Sequence, residues 1–560
     1  MRLSKEIVLA SLAISLTLLS LALTPSVDKV VLKESWQYPF FYAKTLPIIY
    51  YVAIVYSALL SLLSNDDHCK LISLLCVAFL VELTPSLMLA NPWLLDQFPY
   101  LAEPVYLIET SHVSRMHYLQ DMPGLALMFS QFMLVTGLGP FAISKLYPLF
   151  TVLMLVLPTY LLSKKLCGDG SLIPLLFLSI NTAQINTFHR FSYFFMLFCL
   201  LFYLVWARAT RPAIGYSVFS VLAYSTAVLS YPGSIIIPIL VLVPALAVST
   251  ARLLKVGSVK SSKALMQSFP NNLYLTGLTF LCIFLSWNVF SGSWEFDRIV
   301  GNVYQALSEL FTVSPGALLT PRHPWAEALT PLFNSILRVR TLLMAMVLAL
   351  GLLGSVYALF SKRDEAFVPM AYLSSLAILA PFMFTGWNLW YAFKFVVYVL
   401  LLASASVATL WRSKRNKYLL AFIALIIVIG AILIPILRYA SIPYLHPTTQ
   451  ELKATSFVDL LYEGGKPICY TDYPPYIRVL LGKDPSWELS GMEPEGLFEG
   501  KVREDVGYLL SHRTLTRDGY YVYPLSRQEL LNNLISSLSR SHDIVYCNDP
   551  YIELFVPVAW

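Results

Sequence analysis

Charged residues are scarce: they make up 13% of the 560 positions, against 57% hydrophobic residues. A soluble domain carries about a quarter charged residues. So little charge, with a mean hydropathy of +0.66, excludes one large soluble core and points to lipid-facing helices. A concentrated basic face is also missing. The net charge is only +6, and the Lys and Arg residues fall between apolar runs, so a nucleic-acid partner is excluded. The seven cysteines show no CxxC-type metal spacing. There is no fixed-period repeat, no inverted-repeat signature and no long low-complexity linker. The C-terminal tail has neither a Gly-rich phosphate loop nor a nucleophile elbow, which argues against a second catalytic unit there.

Long apolar runs are what the sequence does have. They place membrane spans near 7–24, 46–63, 71–90, 143–163, 171–187, 191–207, 213–230, 233–250, 272–291, 341–360, 366–385, 393–411 and 418–437. The run beginning at Ile7 is longer than a signal-peptide core and lacks a clear small-x-small site, so it reads as a retained first span. Basic loops at Arg2/Lys5, Lys164-Lys165, Arg208/Arg211, Arg252–Lys263, Lys362-Arg363 and Arg412–Lys417 belong in the cytoplasm by the positive-inside rule. The segment from Pro123 to Gly137 is apolar but only about 22 Å long if helical. Reading it as a helix in the outer interface keeps every basic loop inside. The expectation is an α-helical polytopic membrane protein of about 13 spans in the cell membrane. Its N-terminus is cytoplasmic and its small C-terminal α/β domain extracytoplasmic. The divisions are 1–90 (first spans), 91–142 (external loop with interfacial helices), 143–439 (transmembrane core) and 440–560 (tail domain).

The loop 91–122, NPWLLDQFPYLAEPVYLIETSHVSRMHYLQDM, holds Asp96, Glu103, Glu109 and Asp121, together with His112, Arg115 and His117. Asp96 stands just past the outer end of a span, where a carboxylate can take a proton from an acceptor or hold a divalent metal. The plain alternative is a wet loop whose acids are only solvated. Arg190, after His189, and Lys394, in Trp390-Tyr-Ala-Phe-Lys, stand near the outer ends of spans. A span charge usually faces a cavity or a partner. The plain reading for both is snorkelling to headgroups, with the aromatics around Lys394 forming an interfacial belt. Trp294-Glu-Phe-Asp-Arg and Arg322-His-Pro-Trp in 292–340 read as surface loop, Tyr231-Pro-Gly as an outer turn, and His68 carries no role.

The order of elements resembles the C-type superfamily of membrane glycosyltransferases (GT-C), closest to its uncharacterised archaeal and bacterial members. The matching residues are Asp96 in Leu-Leu-Asp-Gln-Phe, Tyr118-Leu-Gln-Asp-Met-Pro-Gly, Leu125-Ala-Leu, Thr136-Gly137-Leu and Lys145-Leu-Tyr-Pro-Leu. The resemblance spans most of 70–420. Two extra spans precede the acidic loop here, Trp387-Asn-Leu-Trp390 is not the WWD motif of oligosaccharyltransferases, and the loop lacks an Asp-Asp or Asp-Glu pair. The resemblance implies an inverting glycosyltransferase that moves a sugar from a polyprenyl-phosphate donor in the membrane lipid to a glycan, lipid or protein acceptor outside. In that reading Asp96 is general base or metal ligand, with Glu103 and Asp121 as contenders for a second acid. Arg190 and Lys394 hold the donor phosphate, and Glu109, His112, Arg115 and His117 are further loop candidates. The competing readings are a lipid-linked glycan carrier and a non-catalytic assembly partner. A carrier is expected to show discontinuous helices around a polar midplane site.

In the tail, KPICYTD at 466–472 and DIVYCND at 543–549 read as strands, and 527–540 has helical spacing. Cys469 and Cys547 are the two cysteines on the external side, where a disulfide can persist. They either pair or stand as two separate buried thiols.

Overall fold

The computed structural model describes residues 5–26, 41–89, 97–113, 122–181, 185, 187–210, 213–253, 271–290, 300–301, 304, 308, 331–360, 367–384, 389–412 and 417–439, and in the tail 468–470, 507–511, 536, 538, 542–548 and 552–557. The helices are α1 (Lys5–Ala22), α2 (Phe41–Thr45), α3 (Ile48–Leu63), α4 (Asp67–Met88), α5 (Gln97–Thr110), α6 (Gly124–Thr136), α7 (Pro140–Cys167), α8 (Leu172–Ile180), α9 (Arg190–Thr210) and α10 (Ile214–Ser230). A 3₁₀ turn over Pro232–Ile235 leads into α11 (Ile236–Leu253). Then come α12 (Asn271–Phe290), α13 (Pro331–Phe360), α14 (Phe367–Phe384), α15 (Leu389–Arg412) and α16 (Lys417–Tyr439).

Among the described residues, six stretches are long and apolar enough to cross a bilayer: Lys5–Ala22, Asp67–Met88, Pro140–Cys167, Arg190–Thr210, Arg338–Leu359 and Tyr418–Ile436. Others are shorter but equally apolar, such as Ile48–Leu63 and Ile214–Ser230. Large apolar side chains point outward from these helices, Leu18, Val218, Phe219, Leu222 and Leu353 among them. In water such a surface would be an aggregation liability; against lipid tails it costs nothing. The body is that of an α-helical membrane protein.

Two ends of the bundle can be told apart. At one end the α3–α4 turn meets the α7–α8 turn. There Lys70 pairs with Asp169 at 2.6 Å and Lys164 with Asp67 at 2.6 Å. The Ser171 hydroxyl donates to the carbonyl of Ser61. At the other end α5 meets the start of α7, where Ser144 Oγ donates to Gln97 Oε1 at 2.8 Å, and the start of α9. The short helix α6 stays at this second end. Gly124 abuts Ser230 at the close of α10, and Phe129 packs on Phe188 and Tyr147. The chain therefore enters α5 and leaves into α7 at the same end.

The expected span 171–187 is not a single helix. Helix α8 stops at Ile180, nine residues long and about 13.5 Å. The described residues beyond it and before α9, namely 181, 185 and 187–189, are not helical. Side chains satisfy this buried backbone: Thr151 Oγ1 donates to the Ile185 carbonyl, and the Phe188 N–H donates to Gln97 Oε1. Non-helical backbone at membrane depth is tolerated only where protein supplies such partners. The helix ends at Asn181, where the apolar run of the sequence gives way to polar residues that favour a helix end.

The core is built on α9. Its phenyl rings at 191, 194, 195 and 198 surround Tyr398 of α15 with centroids 4.8–5.9 Å apart. In the tail, strands β1 (Ile468–Tyr470), β2 (Gly507–Ser511), β3 (His542–Asn548) and β4 (Ile552–Pro557) form a mixed sheet in the order β1-β2-β4-β3. β1 runs parallel to β2, and the other pairs are antiparallel. Cys469 is in register with Tyr508, Tyr508 with Phe555, and Phe555 with Ile544. Cys469 and Cys547 thus sit on opposite edge strands. Three strand spacings of about 4.8 Å separate those edges, on the order of 14 Å, well beyond disulfide reach. The two cysteines do not pair within this sheet.

Candidate active site

Helix α5 opens immediately after Asp96 and presents Gln97, Tyr100 and Glu103 at three-residue steps along one side. Steps of three keep side chains on neighbouring helical positions. This side meets Arg190, the first residue of α9. Arg190 Nη2 donates to Glu103 Oε1 at 3.3 Å, and both side chains are 4% exposed. The guanidinium carbon lies 5.6 Å from the centre of the Tyr100 ring. His189 packs edge-on to the same ring at 4.3 Å, and its Nδ1 accepts the Phe191 N–H. Gln97, 1% exposed, accepts from Ser144 and from the backbone at Phe188.

The polar groups here are only half used. Glu103 Oε2, Arg190 Nε and Gln97 Nε2 are buried and make no hydrogen bond. Such atoms each cost about 1–3 kcal/mol unless something meets them. Helix α5 is not among the membrane-spanning helices, yet burial pushes the Glu103 carboxyl up to about 8, while the Arg190 charge beside it pulls the other way. A carboxyl near neutrality can hold or release a proton under ordinary conditions.

The chain matches no protein-family model and no curated protein sequence.

Among the expected site residues, the structure brings Glu103 and Arg190 together. Snorkelling does not describe Arg190, whose side chain is buried against protein. Glu109 and His112 are exposed near the end of α5 and join no cluster. Asp96, Arg115, His117 and Asp121 lie outside the described residues, and Lys394 is placed only as a helical position of α15. Among the described residues no group of three His, Cys, Asp or Glu side chains could hold a metal ion, and the suggested metal position at Asp96 falls outside them.

Sequence reasoning passed over Gln97 and Tyr100. Their three-residue spacing from Glu103 was the available signal. It also passed over Glu82, fully buried in α4, although an acid inside an apolar run marks a functional candidate by default.

Proposed function

We propose that this protein is an inverting membrane glycosyltransferase of the GT-C type, which transfers a sugar from a polyprenyl-phosphate donor to a glycan, lipid or protein acceptor at the extracytoplasmic face of the cell membrane. The finer topology belongs to the same reading: about thirteen crossings, a cytoplasmic N-terminus and an extracytoplasmic α/β tail domain. The observation that carries it is the Glu103–Arg190 pair, buried at one end of the bundle between the helix that follows Asp96 directly and the start of α9. A cation buried at that place suits an anionic headgroup entering from the membrane.

In the reaction the acceptor hydroxyl oxygen bonds to the anomeric carbon, and its proton passes to the Asp96 carboxylate. The bond from that carbon to the phosphate oxygen breaks, and its electron pair leaves on the lipid phosphate. Arg190 and Lys394 meet the charge that develops there. A divalent cation held by Asp96 would be the other way for this acid to serve.

The test is sugar transfer in membranes supplied with a labelled polyprenyl-phosphate sugar. Asp96→Asn is expected to abolish transfer while leaving donor binding in place. Full transfer by that variant moves the role to Glu103 or Asp121. If wild-type membranes transfer nothing, the enzyme reading fails.

One observation favours a second reading, a lipid-linked glycan carrier. Helix α8 ends after nine residues, and Ile185 beyond it is non-helical and accepts a hydrogen bond from Thr151 of α7; broken helices commonly border transport sites. Proteoliposomes that move the labelled lipid between leaflets without any acceptor would support it.

A further inference from the structure

We propose that Glu103 is an internal stand-in for the donor's phosphate, holding Arg190 when no donor is bound and yielding it when a lipid phosphate oxyanion enters. The inference rests on Arg190 being the phosphate residue of the reading above, and it adds a positioning role for Glu103 that is separate from acid–base chemistry on the sugar.

The geometry of the pair motivates it. A carboxylate and a guanidinium can form two parallel charge-assisted bonds of about 2.7–2.9 Å. Here there is one bond, at 3.3 Å. Arg190 Nε and Glu103 Oε2, the atoms a second bond would use, both remain unpartnered although buried. A buried ion pair stabilises only when its geometry is good and its remaining atoms are satisfied. This pair meets neither condition, so little is lost when another oxyanion replaces the carboxylate. A phosphodiester offers two free oxygens and can fill the fork that Glu103 half fills. The Tyr100 ring lies 5.6 Å from the guanidinium and can steady it through the exchange. Gln97 Nε2, on the same side of α5, is a further donor without a partner. Arg190 also begins a 21-residue helix, whose N-terminal dipole favours an anion at that spot.

The surroundings leave Glu103 answerable to Arg190. Helix α6 brings no titratable residue. Helix α7 brings Tyr147 and the exposed Lys145. Helix α9 brings Arg190 and Tyr193, whose hydroxyl goes to Met128 Sδ. On α5 itself, Tyr100 packs against His189 and Arg190, and Glu109 is exposed. Among the described residues, Arg190 is the charged group that acts on the Glu103 carboxyl.

The sign of the pH effect follows. With its carboxyl pushed up to about 8, Glu103 is mostly neutral below that pH and competes weakly for Arg190. Above it the carboxylate forms and competes with the phosphate, and binding draws a proton from solution.

The experiment is calorimetric titration of the full-length protein in phosphatidylcholine nanodiscs. The probe is the methyl ester of a short-chain polyprenyl phosphate, a diester with one charge across the range. Wild-type affinity should be level up to about pH 8, then fall by roughly tenfold per pH unit with proton uptake. Glu103→Gln should bind as tightly at high pH as at low, and Arg190→Ala should bind weakly throughout. A level wild-type profile overturns the proposal, as does a Glu103→Gln profile parallel to wild type. If Arg190→Ala binds like wild type, the phosphate reading of Arg190 fails and the stand-in fails with it. If Arg190→Ala weakens binding but the pH break is absent, only the stand-in fails. Phosphatidylglycerol and inorganic phosphate run as separate arms. Competition by either with the same pH break supports the exchange and reassigns the source of the phosphate. Should Glu103→Gln not fold, the wild-type profile and its proton uptake, compared in two buffers of different ionisation enthalpy, decide alone.

Discussion

Lys70 and Asp169 show what a charge pair does when water is nearly absent. Their side chains are 11% and 12% exposed and meet at 2.6 Å, and Asp169 Oδ1 also accepts from the Ser171 N–H and hydroxyl. Removing one partner of such a pair leaves the other charge buried, at a cost of about 3–5 kcal/mol. The neighbouring Asp67–Lys164 pair has the same length but is about half exposed, and such pairs contribute about 0–1 kcal/mol. Asp169→Ala is therefore expected to lower the unfolding temperature of the detergent-solubilised protein by several degrees, and Asp67→Ala to shift it little. Equal shifts would mean that burial does not govern the difference. None of this was legible in the sequence. Lys70 and Asp169 are 99 positions apart, and local pattern holds no record of such a pairing. Glu103 and Arg190 were singled out one by one, as an acid in an external loop and a cation at the end of a span, but their contact needed the fold.

At the scale of helices, close packing depends on what is absent from a side chain. Helices α13 and α15 run parallel with Gly351 against Ala403 and Gly354 against Ser406. A Cβ on Gly351 would stand 2.9 Å from the Ala403 backbone, and one on Gly354 would meet the Ser406 carbonyl. Thr409 Oγ1 donates to the Gly354 carbonyl across the same contact at 3.0 Å. In lipid no hydrophobic force drives helices together, so close van der Waals approach of small residues does much of the joining. Gly354→Leu is expected to separate the two helices, read as loss of a monodisperse peak in detergent and a large fall in unfolding temperature. Gly215→Ala in α10, where nothing lies within 4 Å, should stay within about 1 kcal/mol of wild type. Apolar runs predicted most of these helices because lipid imposes a length and a composition on them. The break after α8 escaped because residues 171–180 are apolar and the polar stretch that ends the helix is short. What decides it is whether Gln97 and Thr151 stand ready to satisfy the backbone, which is tertiary information.

For the whole molecule, the parity of the chain fixes which groups share a side. The sheet order shows how little a strand's sequence says about its neighbours: KPICYTD and DIVYCND both contribute strands, yet they lie at opposite edges. The contacts show which helix ends lie together, and the loop charges propose which of the two ends is cytoplasmic. Lys165 is exposed beside the Lys164–Asp67 pair at one end, while His112 is exposed past α5 at the other. Val135 is 86% exposed near the far end of α6 and gives a labelling position there. If α6 crossed the bilayer, Val135 and His112 would face opposite compartments, and every basic loop from Lys164 onward would change sides. With α6 at the interface, both face outward and Lys165 faces the cytoplasm. In sealed cells an impermeant maleimide is expected to label His112→Cys and Val135→Cys, and to label Lys165→Cys only after permeabilisation. Labelling of Lys165→Cys from outside, with Val135→Cys protected, would overturn the arrangement. The proposed phosphate site would then lose its place on the external face, because Arg190 is tied through the turn at Phe188 and Gln97 to the end where α7 begins.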